Sequence, residues 1–366
     1  MSLRVLFILK ERFVNYGAAA YDENGNFEPY GYNVSSGLLN SARFVNEMLK
    51  HNGIHSHLVQ VLDNNAIDRE VHNFRPDVVV IEAFWVVPEK FEVLRKLHPN
   101  VKWIIRSHSE VPFLANEGNA LDWAQKYLDQ KNVFLSFNSK RATDDFISYF
   151  LAKNPLVKKH HIENRVVFLP NYYPVGDVSE PYRLYYKDTV DIGGFGAIRP
   201  MKNQLLQAFA AVEFSRISGY RLRYHINAPR IEQNGDNVLK NIRSLFAGLD
   251  DSYELVEHDW VEHHEFVKLV REMDIGLQVS FSETFNIVAA DFVNNGVPMV
   301  GSEEIPFLFP LFQADMTDAH DIVKRMEYAL LWKRIFRKFD PNKMKLNKYT
   351  HNSEKRWLEY LENFEA

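Results

Sequence analysis

The sequence predicts an α/β protein built from two doubly wound, Rossmann-like domains that face each other across a cleft. Three observations carry that prediction. Apolar, strand-like runs alternate with helical periodicity from residue 4 to residue 169, and the alternation restarts at residue 190. Repeated β-α units of this kind put parallel strands in a sheet covered by helices on both faces. Pro170 through Pro181 breaks the pattern with Pro and Gly and no periodicity, as a hinge does. The 366 residues exceed one comfortable core and suit two domains of ordinary size. The expected boundaries are residues 1–175, residues 176–348, and a C-terminal helix over residues 349–366 that packs back on the first domain.

In the first series, Arg4 to Leu9 is a short run of bulky and β-branched residues and reads as a buried strand. After a polar, Gly-containing loop through Val34, Ser36 to His51 carries Leu38, Leu39, Ala42, Val45, Met48 and Leu49 at helical spacing. Asn52-Gly53 closes it as a C-cap. His55 to Val61 alternates as a second strand. Asp77–Ile81, Lys102–Ile105, Val133–Phe137 and Val166–Leu169 are the third to sixth. Helical stretches fall between them at about residues 65–74, 89–97, 121–128 and 140–151. In the second series, strands are expected at Val190–Phe195, Arg221–Asn227, Tyr253–Glu257, Ile275–Val279 and Pro298–Val300. Helices are expected at Asn203–Ile217, Val238–Phe246, His263–Met273 and Ile287–Asn295.

Composition narrows the chemistry. Hydrophobic residues at 46% and charged residues at 25% describe a globular protein rather than a disordered one. With no cysteine, disulfides, thiolate zinc sites and cysteine nucleophiles are excluded. A formal net charge of −5 means that the surface as a whole is not built to grip nucleic acid. The longest apolar stretch, Val78 to Pro88, carries Glu82 and is too short to span a bilayer. The N-terminus lacks the features of a signal peptide, so the expected location is the cytoplasm.

Two segments carry the functional reading. Gly193 to Asn203 includes Gly194, Gly196, Arg199 and Lys202 where a strand ends and a helix begins. Glycine lets backbone approach a phosphate closely, the helix start aims amides at it, and the two cations offset charge on a departing diphosphate. A tight βα turn with two surface cations is the competing reading. In the second segment, Ser282 to Asp291, Glu283 stands at a loop tip where it can accept hydrogen bonds from sugar hydroxyls. Phe285, Asn286 and Ile287 can offer backbone amides to phosphate oxygens. Asp291 stands two helical turns beyond Glu283, where a carboxylate can take both hydroxyls of a ribose diol. An acidic turn that complements the helix dipole explains Glu283. It does not explain Asp291 among Ala289, Ala290, Phe292 and Val293.

These residues resemble the retaining glycosyltransferases of the GT-B fold, in particular the large family 4. That family carries the pattern E-x-F-G-[IL]-x-x-x-E, with an Arg and a Lys after the first strand of its C-terminal domain. Glu283, Phe285, Ile287 and Asp291 match it, with Arg199 and Lys202. The departures are Asp291 in place of a Glu and Asn286 in place of the Gly after Phe. The resemblance implies a nucleotide-diphosphate sugar as donor substrate, with Glu283 on the sugar, Asp291 on the ribose, and Arg199 and Lys202 on the diphosphate. It makes the first domain the acceptor side and the second the donor side. It implies no cofactor and no bound metal, because side chains and helix amides take the metal's place. It also puts His108, just past the strand Lys102–Ile105, near the donor sugar; a histidine satisfied at a strand end is the plain alternative. Gly37, Glu117 and Asn119 are candidates for the acceptor side, and a solvated loop explains the last two equally well.

The acceptor is left open between a glycan, a glycolipid precursor and a hydroxymethylated base in viral DNA. Lys324 to Lys348 is rich in Lys and Arg, with Tyr328, Trp332, Phe336 and Phe339 interleaved. It reads as a solvated helix with inward aromatics, or as a docking patch for an anionic surface. His160-His161 and His263-His264 read as solvated turns. A nucleotide-sugar epimerase and a non-catalytic nucleotide-sugar-binding module are the alternatives to transfer.

Overall fold

The computed structural model describes residues 3–11, 20–21, 27–28, 37–176, 188–336 and 339–364, with backbone alone for residues 20–21 and 27–28. They form two compact units. One takes in residues 3–11, 37–174 and 350–364. The other takes in residues 20–21, 27–28, 175–176, 188–336 and 339–349. Most of the loop expected before Val34, and the hinge beyond Gly176, fall outside the described residues.

In the first unit, six parallel strands stand in the order β4-β1-β5-β6-β7-β8. They are β1 (Arg4–Lys10), β4 (His55–Val61), β5 (Val78–Glu82), β6 (Lys102–Ser107), β7 (Val133–Phe137) and β8 (Val166–Phe168). The helices between them are α1 (Gly37–His51), α2 (Ile67–Phe74), α3 (Lys90–Leu97), α4 (Val111–Leu114), α5 (Ala120–Asp129), α6 (Lys140–Lys153) and α7 (Lys159–Glu163). All five residues of β5 are buried, which is why the strand reads as an unbroken apolar run. Alternate residues feed opposite layers: Leu6, Ile8, Val79 and Ile81 enter one core, and Val5, Phe7, Val78 and Val80 the other. Trp357, fully buried, joins the second of these layers.

In the second unit, the order is β11-β10-β9-β12-β13. The strands are β9 (Thr189–Gly193), β10 (Arg221–Asn227), β11 (Tyr253–His258), β12 (Ile275–Gln278) and β13 (Met299–Gly301). Their helices are α8 (Gln204–Ser218), α9 (Gly235–Ala247), α10 (His263–Val270), α11 (Ile287–Asn294) and α12 (Ala319–Ile335); α13 (Pro341–Glu362) contributes to both units. A two-residue antiparallel pair, β2 (Ala20–Tyr21) with β3 (Phe27–Glu28), completes the strands. The sheet order reverses between β9 and β12, so the loops after these two strands diverge at its carboxyl edge. Ligands of doubly wound sheets bind at such switch points. The two segments singled out in the sequence are these two loops.

The expected β-α order is the observed one, with local differences. β6 continues through Arg106 and Ser107, and β9 stops at Gly193, two residues short of the expected Phe195. The short helices α4 and α7 carry too little periodicity to show in the sequence.

Candidate functional site

The turn after β9 uses its glycines in different ways. A Cβ at Gly194 would lie 2.2 Å from Tyr224 Oη, so packing beneath the turn demands glycine there. Gly196 adopts φ +112°, and a Cβ on it would meet nothing within 4 Å, so the space before it is open. Its N–H donates to Asn227 Oδ1 at 3.0 Å. Arg199 follows, with its guanidinium 3.3 Å from Glu232 Oε2. Lys202 ends a short 3₁₀ turn, Pro200–Lys202. Asn203, at φ 55°, then pins the start of α8 by donating to the carbonyls of Val279 (3.1 Å) and Met316 (2.8 Å).

The turn after β12 is anchored by Phe285, fully buried between Phe307 (5.1 Å) and Tyr349 (5.2 Å). Asn286 occupies the family's Gly position with φ 71° and ψ 92°, a conformation that Asn tolerates better than most residues. It is also the N-cap of α11: its Oδ1 accepts from the Ala289 amide at 2.9 Å. The amides of Ile287 and Val288, in the first turn, have no acceptor within the helix, as at any helix start.

Side chains join the two turns. Lys202 Nζ lies 2.5 Å from Glu283 Oε1, with the two side chains 13% and 8% exposed. Asn286 Nδ2 donates to the same Glu283 oxygen at 3.0 Å and to Gln278 Oε1 at 2.9 Å. Gln278 Nε2 in turn donates to the Phe195 carbonyl at 2.8 Å. Burial pushes the Lys202 pKa down and neighbouring Arg199 adds to this, while Glu283 opposes them; the result lies below the usual 10.5.

Asp291 is 1% exposed, and its Oδ1 lies 2.8 Å from His263 Nε2. His263 opens α10 and is 22% exposed. It is therefore not the solvated turn residue the sequence suggested; the following His264 is 72% exposed but also lies within α10. The ring of Phe195 packs against Phe266 of α10 (5.3 Å) and Phe292 of α11 (6.0 Å), which brings this pair beside the glycine turn.

In the first unit, His108 follows β6. Its Nε2–H donates to Glu82, and its Nδ1 accepts from Asn138 Nδ2 at 3.2 Å. Glu82 and Arg106 are fully buried, with Arg106 Nη1 3.1 and 3.2 Å from the two Glu82 oxygens. Arg106 also donates to Asn171 Oδ1 (2.6 Å) and to the Leu169 and Pro170 carbonyls (3.2 and 3.1 Å). Burial raises the Glu82 pKa, but Arg106 and then His108 outweigh it, leaving it below the usual 4.5. Burial and Arg106 hold His108 below 6.5 against the pull of Glu82. Ala83, next to Glu82, carries φ 72°, a backbone strain of the kind held at functional sites.

The sequence reading named His108 but missed Glu82, Arg106, Asn138 and Asn171 as its setting. An acid ending an otherwise apolar strand was the available signal. Gly37 sits exposed at the start of α1, and Glu117 and Asn119 are exposed in the loop before α5. Among the described cations of 324–348, Lys343 and Lys345 donate to backbone carbonyls, and Lys333 is partly buried with its pKa lowered by that burial. Arg337 and Lys338 lie outside the described residues. Ile305, Phe307, Leu308 and Phe312 are core residues. No helix among the described residues is long and apolar enough to cross a membrane.

No protein-family model and no curated protein sequence matches the chain. Solved structures do. The chain is similar to the N-terminal domain of Candida albicans trehalose-6-phosphate phosphatase (13% identity, TM-score 0.68), over 100% of this chain and 98% of that one. It is similar to the UDP-forming α,α-trehalose-phosphate synthase of Burkholderia vietnamiensis (10%, TM-score 0.69), over 100% and 97%. It is also similar to the E. coli trehalose-6-phosphate protein bound with UDP-2-fluoro glucose (11%, TM-score 0.67), over 99% and 98%. At these identities the likeness establishes the fold, the two-domain Rossmann-like GT-B arrangement that the sequence led us to expect.

Proposed function

We propose that the chain is a retaining glycosyltransferase that moves a sugar from a nucleotide-diphosphate donor to an acceptor hydroxyl without a bound metal. The observation that carries this reading is the contact between Lys202 and Glu283, 2.5 Å apart. It joins the two loops that diverge at the switch point of the second sheet. Without donor, each side chain neutralises the other. The donor would part them, with its diphosphate on Lys202 and its sugar hydroxyls on Glu283. Arg199 and the first-turn amides of α11 would add positive character where charge grows on the leaving diphosphate. Asn286, bonded to Glu283, would hold the carboxylate in place for the sugar.

For His108 we propose the sugar-side role that the resemblance implies, with Glu82 and Asn138 fixing its ring. The solved neighbours include UDP-forming enzymes and one bound with UDP-2-fluoro glucose, so UDP-glucose is the first donor to try. They are not family 4 by name, and membership of that family, like a cytoplasmic location, is part of this proposal. The test is a panel of nucleotide-diphosphate sugars incubated with the chain and scored by mass spectrometry for slow release of sugar and nucleoside diphosphate. Release from one donor supports the reading; an isomerised nucleotide sugar would point to an epimerase, and binding without release to a non-catalytic module.

A further inference from the structure

The aromatic residues interleaved among the cations of 324–348 do not all turn inward. Phe336 and Phe339 are exposed. Both rings lean on Trp332, with centroids 4.4 and 6.2 Å away, and Trp332 Nε1–H donates to the Phe339 carbonyl at 3.1 Å. Trp332 packs in turn on Phe312 (6.0 Å), and Phe312 on the exposed Phe309 (6.4 Å). α12 extends the same surface. Lys324, Tyr328, Leu331 and Ile335 recur at spacings of four, three and four, so they share one helical face. The helix buries Ile322, Val323, Met326, Ala329 and Leu330, whereas Leu331 is 54% and Ile335 61% exposed. A helix that only closes a core carries polar side chains on its outer face. Leu331, Ile335, Phe336, Phe339 and Phe309 form an apolar patch there instead, and such patches mark interaction sites.

The charge around the patch is lopsided. Residues 324–348 hold nine Lys and Arg against two acids, Glu327 and Asp340, a formal +7 within a chain of net −5. Arg325 pairs with Asp321, and Lys343 and Lys345 donate to carbonyls. Lys324, over the Tyr328 ring at 5.8 Å, is exposed, as is Arg334, which donates to Tyr220 Oη at 2.9 Å. We propose that this face docks on an anionic lipid bilayer. Leu331, Ile335 and the Phe rings meet the boundary between headgroups and acyl chains, and the cations lie among the headgroups, as in interfacial helices. The proposal does not depend on the donor reading. A second copy of the chain fits the face less well, because twofold pairing sets the basic surface against itself. Nucleic acid also fits less well: its phosphates reward cations but give Leu331 and Ile335 nothing to pack on.

Vesicle sedimentation of the full chain tests the proposal. Binding to phosphatidylcholine vesicles with about 30% phosphatidylglycerol should be about tenfold or more tighter than to phosphatidylcholine alone, and the preference should narrow as salt screens the charges. Leu331→Asn/Ile335→Asn changes two exposed positions and should weaken binding to the anionic vesicles by about tenfold or more. Lys324→Gln/Arg334→Gln should weaken it by about fivefold for each cation. Absence of binding to the anionic vesicles, or binding that either double variant leaves unchanged, would overturn the proposal. So would retention of a duplex DNA oligonucleotide in place of vesicles, or self-association without lipid that Leu331→Asn/Ile335→Asn abolishes.

Discussion

Replacing Asn286 by the family's glycine separates what its backbone does from what its side chain does. The backbone holds φ 71°, which glycine adopts without cost. The side chain makes three hydrogen bonds, to the Ala289 amide (2.9 Å), Gln278 Oε1 (2.9 Å) and Glu283 Oε1 (3.0 Å). Glycine in place of Asn at an N-cap costs only a few tenths of a kcal/mol. The buried bond to Gln278 is worth about 1 kcal/mol and the one to the Glu283 carboxylate about 1.5–3 kcal/mol. Asn286→Gly should therefore lower local stability by about 2–4 kcal/mol. Asn286→Ala loses the same bonds and forces a Cβ into a positive-φ conformation, for about 1–2 kcal/mol more. Two units unfold in ways that a single transition does not describe, so the readout is native-state hydrogen exchange of the α11 amides. Protection should fall from wild type to Asn286→Gly to Asn286→Ala. Unchanged protection in Asn286→Gly, or better protection in Asn286→Ala than in Asn286→Gly, would refute the reasoning.

Glu82→Gln keeps the shape of a fully buried side chain but leaves the Arg106 charge without its carboxylate. It should cost about 3–5 kcal/mol of local stability, read by native-state hydrogen exchange of the β5 and β6 amides. Gly194→Ala puts a methyl 2.2 Å from Tyr224 Oη and should destabilise the second unit by about 1–3 kcal/mol, read by the same exchange there. The lowered pKa of Lys202 separates two pH responses. Between its folded value and the usual 10.5 the unfolded chain binds more protons, so this residue's contribution to stability rises with pH. Donor affinity falls over the same window as the ammonium is lost, with a midpoint below 10.5, measurable by calorimetry at constant ionic strength.

The layers were legible because parallel strands buried on both faces leave near-continuous apolar runs, as in the all-buried β5. The loops at the second switch point were legible because their chemistry is local: Gly196, Arg199 and Lys202 fall within seven residues, and Glu283 to Asp291 within nine. The setting of His108 was not. Glu82 and Arg106 lie at the carboxyl ends of β5 and β6, Asn138 and Asn171 follow β7 and β8, and the bonds among them span 24 to 65 residues of chain. Only the packing of parallel strands side by side brings their carboxyl ends together. His263 escaped for the same reason: its partner Asp291 lies 28 residues away on another helix. Gly194 has a packing reason to be glycine that its sequence neighbours do not show, since a Cβ there would lie 2.2 Å from the distant Tyr224 hydroxyl.

The central claim is that the turns after β9 and β12 act as one donor site through Lys202 and Glu283. The measurement that tests it most directly is turnover of a nucleotide-diphosphate sugar by Lys202→Ala, Glu283→Ala and the double variant, each shown to be folded. If the two residues form one device, each single change cuts turnover severely and the double variant is little worse than either, as for residues that act as a unit. Near-normal turnover in either single variant would contradict the account, and so would two losses that multiply in the double variant.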